Sequence, residues 1–113
     1  MNTTQKYLTA MKASNGGASD YRAAIILGIS HQTVSSYKRG ISQMNSETTT
    51  KMANVLGLDP AKMYAEVQLE SAKSSEARHI WGRILDLTKS APALALLAFA
   101  VMLPMADKML SFA

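Results

Sequence analysis

Apolar side chains recur at three- and four-residue spacing along most of the chain, and the breaks fall at glycines or at helix-capping residues. Tyr7, Leu8 and Met11 share one face of a helix over residues 4–13. Asn2, Thr3 or Thr4 is available as its cap, and Ser14-Asn15-Gly16-Gly17 ends it. Ser19 caps a second helix through its hydroxyl, with Asp20 in the first turn where the helix dipole favours an acid. Tyr21, Ala24, Ile25 and Leu27 supply its apolar faces, and Gly28 closes it in a left-handed conformation. Ser30 caps a third helix over residues 31–38. There Val34 and Tyr37 face inward, while Gln32, Thr33, Ser35, Ser36 and Arg39 face out. Gly40 ends that helix. A polar loop then runs to Asn45 or Ser46, and a fourth helix carries Met52, Ala53, Val55 and Leu56 before Gly57. Asp59-Pro60 starts a fifth, because Asp caps well and Pro at the first helical position loses no needed hydrogen bond.

From Ala61 to Gly82 there is no glycine or proline, and Met63, Val67, Ile80, Trp81, Ile84, Leu85 and Leu87 mark one long helix or two. The polar stretch 70–76 is the expected boundary. Residues 91–106 carry no charged or strongly polar side chain and are broken only by Pro92 and Pro104. The pattern therefore divides the chain into residues 1–70, an amphipathic charged helix or linker at 71–90, and an apolar helix at 91–113.

Composition agrees with an all-α fold. Apolar residues make up 48% of the 113 and aromatics only 6%, so the core is built from aliphatic residues and the 8 methionines. Cysteine is absent, which excludes disulfides and thiolate metal sites and suits the cytoplasm. No apolar core of signal-peptide length follows the N-terminus, since Lys12, Asn15, Gly16 and Gly17 interrupt it. The formal charge of +4, from 12 basic and 8 acidic side chains, favours a polyanionic partner without identifying one.

Residues 20–39 resemble the helix-turn-helix of the lambda-repressor-like (XRE) family. The resemblance rests on small Ala24 where the two helices touch, Gly28 in the turn, Ile29 after it, and Val34 and Tyr37 as buried positions of the second helix. The surrounding helices follow the family's order, and residues 55–60 look like its entry into the last helix, so the likeness covers about residues 3–70. It implies a five-helix DNA-binding domain followed by a helical extension, with the helix at 31–39 lying in the major groove. Carried over, the base-reading set is Gln32, Thr33 and Ser36, flanked by His31 and Ser35. Gln32 leads it, because an amide donates to and accepts from adenine together. Lys38 and Arg39, with Ser19, Tyr21 and Arg22 at the start of the second helix, are expected to contact phosphate. One position departs from the family's pattern: Asp20 stands where an amide often reaches phosphate, and a carboxylate there is repulsive.

Other chemistry finds little support. His31 and His79 are far apart and lack the spacing of a metal site. The pair Gly16-Gly17 has no phosphate-loop lysine, and no nucleophile, base and acid stand in a catalytic pattern. Neither a cofactor nor an enzymatic activity is expected. Methionines 44, 52, 63, 102, 105 and 109 read as core packing or lipid contact. Trp81, near Arg78, Arg83 and Lys89, suits either a membrane surface or the anchor of a partner helix. Residues 91–106 are short of the roughly 20 that span a bilayer, and two readings stay open: a membrane anchor, with the N-terminal domain on the cytoplasmic side, or a dimerisation segment. The architecture looks like that of small regulators of phages and mobile elements. The expected partners are double-stranded DNA and a second copy of the chain. A membrane-anchored module binding a protein partner, as in bacterial cell-shape proteins of this fold, is the alternative.

Overall fold

The computed structural model describes residues 1–90, and these form six helices and no strand. They are α1 (Thr3–Ser14), α2 (Asp20–Leu27), α3 (His31–Lys38), α4 (Ser46–Leu56), α5 (Pro60–Ser71) and α6 (Ser75–Ser90). The expected apolar helix at 91–113, with its anchoring or dimerising role, lies outside the described residues.

Each of the first five helices starts where a side chain takes over the backbone N–H groups that a helix leaves unpaired. Asn2 forms a reciprocal box with Gln5, each accepting the other's backbone N–H at 2.8 Å. Ser19 accepts from Arg22 N–H at 3.2 Å, Ser30 from Thr33 at 3.1 Å, Asn45 from Thr48 at 2.9 Å and Asp59 from Ala61 at 2.9 Å. The chain breaks between Ser71 and Ser75, inside the polar stretch expected to separate two helices.

The core gathers residues of α1 to α5 and the loop before α4. Leu8, Met11, Leu27, Val34, Met44, Met52, Met63 and Val67 are each at most 2% exposed. Four of these eight are methionines, whose unbranched thioether chains fill the irregular gaps between short helices. Each such side chain contributes about 1.5–3 kcal/mol through burial. The packing reading of Met44, Met52 and Met63 is the one observed.

Helix α1 is the post to which the later helices are tied. The Tyr7 hydroxyl donates to Glu66 on α5 at 2.7 Å, and Lys6 pairs with the same carboxylate at 3.4 Å. Burial, the hydrogen bond to Glu66 and its negative charge together push the Tyr7 phenol well above its ordinary value. Glu70, at the end of α5, accepts from the Thr3 N–H at 3.0 Å, the Thr3 hydroxyl at 2.9 Å and the Gln43 amide at 2.7 Å. The buried Thr4 hydroxyl is bonded to the Gln43 side chain and accepts from Met44 N–H at 3.3 Å.

Helix α6 packs along α5, where Trp81 meets the Tyr64 ring edge-on, centroids 5.8 Å apart. Trp81 thus anchors α6 to α5 of its own chain. The outer side of α6 leaves Ile80 and Leu87 each 56% exposed. Among the described residues no helix is long and apolar enough to cross a membrane.

Of the four residues read as the apolar faces of α2, two are buried and two point outward. Tyr21 is 68% and Ile25 65% exposed. At 100° per residue Ile25 points roughly opposite Leu27, so once Ala23, Ala24 and Leu27 turn inward, Tyr21 and Ile25 are carried outward together.

Candidate nucleic-acid interface

The geometry of α3 is set by its neighbours. Ala24, 5% exposed, gives α3 room to approach α2, and Gly28 turns the chain at φ +66° between them. Ile29 packs partly buried against the core, while Val34 and Tyr37 are buried. At its far end α3 is held by α1, because the Gln5 side-chain amide donates to the Lys38 carbonyl at 2.7 Å. The helix is therefore fixed on one face and at both ends.

Its other face is polar. His31 and Gln32 are exposed, whereas Thr33, Ser35 and Ser36 are half-buried rather than fully outward. Of the trio expected to read bases, the Thr33 hydroxyl lies 2.8 Å from the hydroxyl of Ser30, the cap of its own helix. Gln32 is the member with an exposed side chain long enough to reach a base edge. Arg39 is exposed, with its Nε 3.5 Å from the Ser35 carbonyl. At the start of α2, Ser19, Tyr21 and Arg22 are exposed.

Asp20 organises the junction of three helices. One carboxylate oxygen pairs with Lys12 at the end of α1, the other with Lys38 at the end of α3 at 2.9 Å. Hydrogen bonds from Lys12 and then Lys38 hold its carboxyl below the usual carboxylate range. This changes the sequence reading twice. Lys38, expected to be free for phosphate, is engaged by a carboxylate, and the negative charge of Asp20 is matched by two ammonium groups. The sequence offered little signal for this clasp, since residues 12, 20 and 38 lie on three different helices. The nearest clue was a lysine in the last turn of α1 facing an aspartate in the first turn of α2.

His31 on α3 and His79 on α6 are both exposed. Among the described residues no three His, Cys, Asp or Glu side chains gather where they could hold a metal ion. Comparison with protein-family models, with curated proteins and with solved structures finds no match to this chain.

Proposed function

We propose that residues 1–70 are a lambda-repressor-like DNA-binding domain and that the protein is a sequence-specific transcriptional regulator of the repressor type, working as a dimer in the cytoplasm. The observation that carries this reading is α3 itself. It is a short helix locked by Val34, Tyr37 and Gln5, following a three-residue turn, and it presents Gln32 to solvent beside a row of hydroxyls. Such a rigid polar helix suits the major groove, where Gln32 pairs with adenine and Arg39, Ser19 and Arg22 meet phosphates.

The test is equilibrium binding of the full chain to genomic fragments and to random duplex across a salt series. Selective, salt-sensitive binding that loses about 1–3 kcal/mol on Gln32→Ala is expected. Equal binding to all fragments with Gln32→Ala unchanged would overturn it.

The alternative of a protein-binding module tethered to the membrane by residues 91–106 is favoured by one feature. Ile25 is an exposed apolar side chain on α2, which a helix bordering a phosphate backbone does not need. Ile25→Ser separates the two readings: DNA retention survives it, and capture of a protein partner does not.

A further inference from the structure

We propose that Asp20 is an internal competitor for DNA phosphate, which holds Lys38 back from phosphate contacts and so limits the sequence-independent affinity of the protein. The inference rests on the reading of α2 and α3 as a DNA-binding pair and adds a residue that this reading treated as an obstacle.

The three charges of the clasp are not equivalent. The side chains of Asp20 and Lys12 are 23% and 22% exposed, and that of Lys38 is 50% exposed. Lys12 is thus the stationary partner and Lys38 the exchangeable one. An ammonium on a flexible stem is a compact charge with three donors, so it can leave a carboxylate for a phosphate oxygen without moving α3. Any phosphate that recruits Lys38 has to displace Asp20 first. That displacement weakens binding to every duplex, because all duplexes offer the same phosphates. Base contacts from Gln32 carry no such penalty. The carboxylate therefore lowers the sequence-independent part of the affinity and leaves the discrimination supplied by Gln32 unchanged, and an amide at position 20 would lift that restraint.

The experiment measures the full chain by fluorescence anisotropy on random duplex and on a selected genomic fragment, from low to moderate salt. Asp20→Asn is expected to tighten random-duplex binding about tenfold near 0.1 M salt and to steepen the salt slope by about one, as one freed lysine predicts. The ratio of selected to random affinity stays within about twofold, because both duplexes gain the same phosphate contact. Lys38→Gln is expected to reverse the gain in the Asp20→Asn protein, while in the wild type it changes random-duplex binding by under about threefold. Helical circular dichroism verifies folding, and Asp20→Gln repeats the measurement if Asp20→Asn is unfolded. Unchanged or weaker binding by both folded variants overturns the proposal, as does an equal loss from Lys38→Gln in both backgrounds. If wild type and variants alike bind no duplex at low salt, the DNA reading falls and the proposal falls with it. If the wild type binds selectively and Asp20 variants match its salt slope, the proposal alone falls.

Discussion

The turns from α2 to α3 and from α4 to α5 are built from the same local pattern, and they deliver opposite kinds of helix. Ala24-Ile25-Ile26-Leu27-Gly28-Ile29-Ser30 and Ala53-Asn54-Val55-Leu56-Gly57-Leu58-Asp59 share alanine, leucine, glycine, an aliphatic residue and a cap at corresponding places. Their backbones agree as well. Gly28 lies at φ +66°, ψ +35° and Gly57 at φ +68°, ψ +33°. The next residue donates to the alanine carbonyl in each, Ile29 to Ala24 at 3.0 Å and Leu58 to Ala53 at 2.9 Å. This is the paired closure that lets a left-handed glycine end a helix with its carbonyls satisfied. Yet α3 presents a polar face to solvent, whereas α5 buries Ala61, Met63, Ala65 and Val67. The turn fixes where the chain changes direction, and the residues after it decide which way the new helix faces.

The largest test of that difference is in the paired leucines. Leu27 is fully buried, while Leu56 packs at the core's edge and is only partly covered. We expect Leu27→Ala to destabilise by about 3 kcal/mol, for the lost methyl contacts and the cavity left behind, and Leu56→Ala by about half as much. Urea unfolding at neutral pH measures both. Equal losses would mean that the two turns support the core alike.

The same contrast explains what could be read from the chain. Ser19, Ser30 and Asp59 as caps, Gly28 and Gly57 as stops, and Val34 and Tyr37 as inward residues were all legible, because local chemistry and periodicity determine them. Which of the apolar residues of α2 face the core was not legible, because a helix of little more than two turns rich in apolar residues does not say. The bond between the Thr33 hydroxyl and the cap Ser30 was not anticipated, because a cap is read through its backbone partner. Asp20 was read as a liability for docking, since its partners Lys12 and Lys38 come from other helices. Local signals thus located α3 and its polar face, and tertiary ion pairs determined which of its charges are available.

The glycines give a second, smaller test. Alanine at either position pays for the left-handed conformation, a net cost of about 1 kcal/mol after the stiffer unfolded chain is counted. A Cβ on Gly57 meets open space, whereas on Gly28 it would lie 3.0 Å from the Lys51 ammonium nitrogen. That atom is the end of a flexible side chain and can move. Gly28→Ala and Gly57→Ala should therefore agree within about 0.5 kcal/mol in thermal or urea unfolding. A clearly larger loss at Gly28 that Lys51→Met relieves would show that Lys51 is pinned against the first turn.

The smallest effect is acid sensitivity, and it separates the two ways in which these helix pairs are tied to α1. Asp20 ties α2, and its carboxyl is lowered by the ammonium groups of Lys12 and Lys38. Glu70 ties α5. Partial burial raises its carboxyl, and hydrogen bonds from Thr3 and Gln43 outweigh that and leave it lowered. A carboxyl lowered in the folded state binds fewer protons there than in the unfolded chain. Its stabilisation is complete above the unfolded values of about 3.9 for Asp and 4.3 for Glu, and it is lost as pH falls through the folded value. The urea midpoint should therefore drop less between pH 6 and pH 3 for Asp20→Asn with Glu70→Gln than for the wild type. Salt then divides the two contributions. Screening at about 0.5 M weakens the ion pairs of Asp20, which are partly exposed, and leaves the hydrogen bonds to Glu70 from neutral groups largely intact. In high salt the single variant Asp20→Asn should titrate like the wild type while Glu70→Gln still differs from it. A difference that persists for Asp20→Asn would mean that its ties to Lys12 and Lys38 act through hydrogen-bond geometry more than through charge.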